Sequence, residues 1–281
     1  MKLAIGTAQF GIIYGINNSL GIPNNTELSN IFNVAKNAGV SIIDTASGYG
    51  NAEERLSPFS DIFNIVSKFS DVKTDEELLK QFEISCIRLG AKAIYGYLAH
   101  NADNLIETPQ LWQTLRKLKE ESRINKIGYS LYTPEQLEKL LILKLIPDLV
   151  QIPYSLLDRK FEPFLLVLKE LGTEIHVRSV FLQGLYFMDP FKLPEKLIPL
   201  QSVLSNLQNL CLEKNISIGA LAINFILENP LVDYVVIGVE KASQLEQNIQ
   251  MVKEWENTDD VFDAVRLLNP VHKELLNPVN W

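Results

Sequence analysis

The chain has 281 residues, 47% of them hydrophobic, enough for one buried core and most economically read as a single domain. A formal net charge of −8 argues against a nucleic-acid scaffold or an anionic membrane surface as the main partner, since either requires a basic face. No apolar run approaches the ~18 residues of a membrane span, and Gln9, the nearby glycines and the missing small-residue cleavage site argue against a signal peptide.

From the N-terminus, strand and helix signals alternate. Leu3 to Ala8 is a short apolar run. Thr26-Glu27-Leu28 opens a helix whose apolar residues Leu28, Ile31, Phe32, Ala35 and Ala38 keep helical spacing until Gly39 stops it. Ser41 to Asp44 is the second strand, and Ile62 to Ser67, leading to Lys68, the third. A helix is expected from Asp75 to Leu89, ended by Gly90. Ala93 to Leu98 is strand four, with a helix at Pro109 to Glu121. Lys126 to Ser130 is strand five, after which Pro134 opens a helix from an N1-like position. Asp148 to Gln151 is strand six, Arg159 to Leu171 a helix stopped by Gly172, and Glu174 to Ser179 strand seven. Helices at Leu200 to Glu213 and Ile218 to Glu228 precede strand eight, Tyr234 to Ile237, and a last barrel helix, Ser243 to Trp255. Eight strand–helix units without a low-complexity linker predict an α/β fold of one domain over residues 1–281. The expected architecture is a single closed (β/α)8 TIM barrel, with 259–281 as a C-terminal tail.

In such a barrel the C-terminal strand ends share one rim, where function is built. Four polar residues stand at or just past strand ends: Asp44, Tyr49 in the loop after it, Lys68, and His100, which closes the run Ile94-Tyr95-Gly96-Tyr97-Leu98-Ala99-His100. An acid, a phenol, an amine and an imidazole on one rim form a proton-transfer site suited to reducing a carbonyl. Singly, each also reads as an ordinary rim residue. His176 and His272 lack this context, and with three scattered histidines and no ligand-type spacing no metal site is expected. Cys86 and Cys211 lie far apart in helical patterns without CxxC spacing. They read as small core residues of a protein in the reducing cytoplasm.

The segment Asp44-Thr45-Ala46-Ser47-Gly48-Tyr49-Gly50-Asn51-Ala52-Glu53 resembles the Asp-Thr-Ala-x-x-Tyr-Gly-x-x-Glu signature of the aldo-keto reductases. The resemblance continues in order through Val66-Ser67-Lys68, Leu98-Ala99-His100, Ile127-Gly128-Tyr129-Ser130, Gln151, Gln183-Gly184-Leu185, and Val236-Ile237-Gly238 to Gln247-Asn248. It implies an oxidoreductase that reduces an aldehyde or ketone with NADP(H), Tyr49 being the general acid. A carbonyl receiving hydride gains alkoxide character, so an acid donates as the hydride arrives; a phenol of free pKa about 10 does so more readily beside an ammonium. Lys68 is the expected ammonium, held by Asp44, while His100 orients the substrate oxygen.

The resemblance also implies cofactor contacts. Gly6 and Thr7 open the first strand end. Ser130 and Gln151 would bind the nicotinamide carboxamide, although the asparagine frequent after the serine is Leu131 here. Arg178, followed by Ser179, stands where a nicotinamide-stacking aromatic is frequent, and a guanidinium also stacks. Gln183 and Gly184 would lie over the pyrophosphate. Backbone amides from Gly238 to Ala242, with Lys241, would hold phosphate at a helix start, and Gln247 and Asn248 would meet adenine. Many members carry an arginine for the 2′-phosphate where this chain has Gln244, with Glu240 nearby. NADP(H) is therefore implied by the resemblance, while NAD(H) stays open.

The substrate mouth is expected from loops carrying Phe10, Tyr14 and Tyr154 and from the tail ending at Trp281, whose aromatic and amide groups suit a small, sugar-like carbonyl. The chain enters its first strand almost at Met1, so the N-terminal hairpin that often plugs the bottom of such barrels is expected to be absent, with a partner subunit or large core side chains covering that end. Two alternatives stay open: a nicotinamide-holding redox-sensing barrel without useful turnover, and an aldolase using Lys68 as a Schiff base. The residues give no oligomeric state.

Overall fold

The computed structural model describes residues 1–16, 18, 20–256, 259–268 and 272–281. Eight parallel strands close into a barrel in sequence order, β8 pairing back onto β1. They are β1 (Leu3–Gly6), β2 (Ile42–Asp44), β3 (Asn64–Phe69), β4 (Ile94–Ala99), β5 (Ile124–Ser130), β6 (Leu149–Pro153), β7 (Glu174–Arg178) and β8 (Tyr234–Gly238). Around them lie α1 (Ala8–Gly11), α2 (Asn25–Asn37), α3 (Ala52–Leu56), α4 (Asp75–Leu89), α5 (Ala102–Glu107), α6 (Leu111–Glu120) and α7 (Pro134–Ile142). The set continues with α8 (Glu162–Glu170), α9 (Gln201–Glu213), α10 (Ile218–Leu227), α11 (Ala242–Lys253) and α12 (Asp259–Leu267). No single helix among the described residues is long and apolar enough to cross a membrane.

Local chemistry accounts for the helix bounds. In α4 the Thr74 side chain accepts from the Glu77 amide, acidic residues fill the first turn, Arg88 occupies the last, and Gly90 ends it in the left-handed conformation at φ +64°. The expected strands are all present, but Lys68 lies within β3 rather than just beyond it. Helices α1, α3, α5 and α12 have no counterpart in the sequence reading. The six-residue α5 is too short to display a helical period and is set by a cap instead, Asn101 accepting from the Asp103 amide.

The pleat sends alternate residues to opposite faces. Ala4, Ile42, Val66, Leu98, Leu149 and Val236 form the apolar layer inside the barrel, whereas Ile5, Ile43, Ile65, Tyr97, Val150 and Val235 join the outer core under the helices. The same parity, two residues further along, turns Gly6, Asp44, Lys68, His100, Gln151 and Gly238 inward at the C-terminal rim. Strand pairing sets Gly6 beside both Asp44 and Gly238. Functional side chains thus converge because a strand has a period of two and the sheet is closed.

At the opposite end the barrel floor is built from its own strands. Glu174 accepts from the Tyr95 hydroxyl at 3.0 Å, pairs with Lys126, and meets His176 Nε2 at 2.7 Å. The Tyr234 ring stands edge-on to His176 with centroids 5.0 Å apart, and Lys126 lies over the Tyr95 ring. Burial resists ionisation of Glu174, but His176 and Lys126 outweigh it and bring its pKa down to about 2. This polar and aromatic cluster occupies the N-terminal end of the barrel.

Candidate active site

Tyr49 stands on the turn between β2 and α3, and that turn lies against the β1 loop backbone to backbone. A Cβ on Gly11 would fall 1.8 Å from the Tyr49 carbonyl oxygen, and one on Gly50, itself at φ +57°, 2.4 Å from the Gly11 carbonyl oxygen. Only glycine fits at either position. Behind the turn, buried Glu53 accepts from Ser67 Oγ of β3 at 2.6 Å and pairs with Arg88 of α4 at 3.6 Å. Arg55 donates to the Phe10 and Pro23 carbonyls. The glutamate of the signature is therefore an anchor for the tyrosine's loop, a role its place in the motif did not disclose.

Inside the rim, Lys68 Nζ lies 2.7 and 2.8 Å from the two Asp44 oxygens and 2.9 Å from the Thr45 carbonyl oxygen, fully buried. These contacts use all three ammonium hydrogens. Burial draws the Lys68 pKa below the ordinary lysine value, with Asp44 opposing. The Tyr49 ring centroid is 5.5 Å from that ammonium and 5.5 Å from the His100 ring, the two rings meeting edge-on at 84°.

Lys68 spends its N–H groups on Asp44 and Thr45, so it faces Tyr49 as a nearby charge and not as a hydrogen-bond donor. Burial raises the phenol well above its usual value, Asp44 and Tyr14 push the same way, and Arg178 opposes them. His100 is shifted the other way. Burial first, then Lys68 and Arg178, bring its pKa down to about 4, so the ring is neutral at neutral pH.

A cavity of about 350 Å³ runs from Asp44, Tyr49 and Gln151 to Gln244, Gln247 and Asn248. Gly6, Thr7 and Gly238 form one wall; Arg178, Ser179, Gln183 and Gly184 another; Tyr14 overhangs. Arg178 lies over the Tyr132 ring at 4.5 Å and donates to the Leu131 carbonyl at 2.9 Å, which fixes its plane at the cavity edge. Gln183 donates to the Tyr14 hydroxyl at 3.1 Å and so links the β7 loop to the β1 loop across the opening. Ser179, Leu182 and Gln183 all sit at positive φ (64°, 44° and 53°), which costs on the order of 1 kcal/mol or more each and is typical of functional loops. The sequence reading missed Gln9, Asn18, Phe181, Phe187 and Met251 in these walls. Asn18, Phe181 and Phe187 lie between strands in segments without periodic burial, Gln9 lies on the one-turn α1, and Met251 lies on α11 four residues past Gln247.

Lys68 and His100 do not line the cavity themselves but contact Asp44 and Tyr49, which do, and five further expected residues lie elsewhere. Phe10 is fully buried and packs on Phe32 at 5.8 Å, so it belongs to the outer core rather than the mouth. Tyr154 is also buried, its hydroxyl donating to Glu162 and its ring against Phe225. Trp281 is half-buried, its indole N–H donating to the Leu275 carbonyl at 2.7 Å, away from the cavity wall. The tail before it packs on the helical layer, Phe262 against Phe225 and Trp255, and Arg159 holds the Val265, Arg266 and Leu268 carbonyls. Asn269, Pro270 and Val271 of the expected tail lie outside the described residues. Ser130 is buried beside Gln151 in register, and Lys241 caps α11 with its side chain exposed; neither lines the cavity.

Comparison with known proteins bears on this arrangement. The sequence model described as Aldo/keto reductase family matches residues 2–270. The barrel resembles an aldo-keto reductase of Bacillus halodurans at a TM-score of 0.75 and 19% identity, over 95% of this chain and 92% of that one. It resembles a glycerol dehydrogenase of Gluconobacter oxydans at 0.74 and 19% identity, over 99% and 93% of the two chains. An uncharacterized oxidoreductase of Schizosaccharomyces pombe is 25% identical over 197 residues, 65% of this chain and 71% of its own.

Proposed function

Since the chain belongs to the aldo/keto reductase family and is an NAD(P)H-dependent oxidoreductase of carbonyl compounds, we propose that Tyr49 is its general acid, served by Lys68, Asp44 and His100. The observation that carries this is the single grouping of Tyr49 with the edge-on His100 ring and the buried Asp44–Lys68 pair, of which Tyr49 and Asp44 line the cavity.

The walls fit a nicotinamide dinucleotide from ring to pyrophosphate. Thr7 Oγ1 is buried with no partner, and Gly238 is bare where a Cβ would come 2.2 Å from the Gln9 side chain. Gln151 spends its N–H on Asp44 and keeps Oε1 free to accept from a carboxamide, with Arg178 and Ser179 on the other wall. Gln183 and Gly184 would lie along the pyrophosphate, and Gln247 and Asn248 against adenine. When bound, the cofactor supplies hydride.

The rest is done by the chain. Its raised pKa keeps Tyr49 protonated, so the hydroxyl is available to donate to the carbonyl oxygen. His100, neutral above about pH 4, donates a hydrogen bond to that oxygen and fixes its lone pairs toward Tyr49. As the phenol gives up its proton, Lys68 and Arg178 stabilise the charge left on it, while Asp44 holds Lys68 in place. A Schiff base at Lys68 finds no support, because that amine is enclosed and fully hydrogen-bonded.

The substrate read here is a small polyhydroxylated aldehyde or ketone, supported by the hydroxyl and amide groups of Tyr14, Asn18 and Gln9 in the wall. Two free, buried thiols support a reducing compartment, the cytoplasm. The test is Tyr49→Phe, assayed by cofactor oxidation over a carbonyl panel with cofactor binding followed by fluorescence. Turnover should fall by on the order of 10² to 10⁴ with binding unchanged. Retention of more than half the parent kcat would overturn the assignment. Lys68→Met should be similarly damaging, and Asp44→Asn somewhat less so.

A further inference from the structure

Where the cavity ends, α11 begins, and the amides of 240, 241 and 242 that lead into this helix are already engaged. Gln244 Oε1 accepts from the Glu240 and Lys241 amides at 2.6 and 3.1 Å. The next amide, Ala242, donates to Glu27 Oε1 of α2 at 2.7 Å. Glu27 is the third residue of α2, whose own cap is Asn24, accepting from the Glu27 amide at 2.9 Å. Its carboxylate is thus free of its own helix and reaches across to a second one.

We propose that Glu27 is a specificity-determining residue that makes this enzyme select the dinucleotide without a 2′-phosphate, NAD(H); the inference rests on the dinucleotide reading above. A helix start attracts phosphate through unspent amides and positive field. Here the amides at 240, 241 and 242 are spent, and the last is spent on a carboxylate. A 2′-phosphate adds about −1.5 to −2 charge and accepts hydrogen bonds only, so near Glu27 and Glu240 it meets repulsion, and the amides of 240, 241 and 242 have no hydrogen left to give it. A ribose with both hydroxyls brings donors, and carboxylates are their natural acceptors. Lys241, the cation that precedes the helix, has its side chain exposed on the helix cap and off the cavity wall.

The test is fluorescence titration of the whole chain with NADH and NADPH, for the parent, for Glu27→Gln and for Glu27→Gln combined with Gln244→Arg. Glutamine preserves an acceptor for the Ala242 amide, so the helix contact survives while the charge is lost. The parent should bind NADH at least about tenfold more tightly than NADPH, ~1.4 kcal/mol. Glu27→Gln should tighten NADPH by about tenfold and leave NADH within about twofold; the double variant should reverse the preference. A measurement that needs no variant is displacement of NADH by ADP against 2′-phosphorylated ADP, in which the second should be weaker by the parent's own factor. A parent that prefers NADPH, or a ratio indifferent to Glu27→Gln, overturns the proposal and leaves the reductase reading standing. Failure of both dinucleotides to bind overturns the two together.

Discussion

The Gln151 side-chain amide donates to Asp44 Oδ1 at 2.7 Å, the same oxygen that accepts from Lys68 at 2.7 Å. One carboxylate, buried under the rim, is therefore oriented from β6 as well as from β3. Gln151 is a positioning residue for the Asp44–Lys68 pair in addition to lining the cavity.

Gln151→Leu should lower kcat by about tenfold, because losing a donor to a buried carboxylate costs about 1–3 kcal/mol and lets Asp44 turn. Gln151→Glu should do more damage, and its loss should ease as pH falls and the added carboxyl protonates. Steady-state kinetics between pH 5 and 8 check both; a pH-independent loss would leave only a packing role.

His100 is held neutral down to about pH 4 against an ordinary value of 6.5, burial being the main cause. Between these values the unfolded chain binds the extra proton, so stability is full above 6.5 and declines as pH falls toward 4. His100→Gln should flatten that part of the melting-temperature profile. In the parent, kcat/KM for carbonyl reduction should show no histidine step near 6.5.

Gly11→Ala should destabilise the fold by about 1–3 kcal/mol and displace the Tyr49 turn, since its Cβ has nowhere to go. The expected signature is kcat reduced by far more than cofactor affinity. Gly39→Ala is the control: its φ is +72° but nothing lies within 4 Å of the added carbon, so a modest loss of stability without a kinetic defect is expected.

At the barrel floor, Glu174 has a folded pKa of about 2 against an ordinary 4.5, burial being outweighed by His176 and Lys126. A depressed carboxyl contributes stability above its unfolded value and loses it as pH falls through the folded one. Thermal melts should therefore drop between about pH 4.5 and 2, and Glu174→Gln should remove part of that slope while leaving neutral-pH turnover intact.

The order of the eight strands and of the long helices between them, the closure into one barrel and the placing of four polar residues at its rim were legible in the chain, because each rests on local period and punctuation. Alternation placed Asp44 and His100 at strand ends, and Gly90 stopped α4 where its left-handed φ is needed. Tertiary structure decided the rest. Phe10 and Tyr154 looked like mouth residues because they follow strands, yet loop paths turned both into the core. The bond from Gln151 to Asp44 joins residues 107 apart, and that from Ala242 to Glu27 residues 215 apart. Neither spacing is a period of helix or strand. Such contacts exist only once the sheet has closed and the helices have packed, because they depend on where two remote backbones come within hydrogen-bond reach, and local sequence pattern carries no record of that distance.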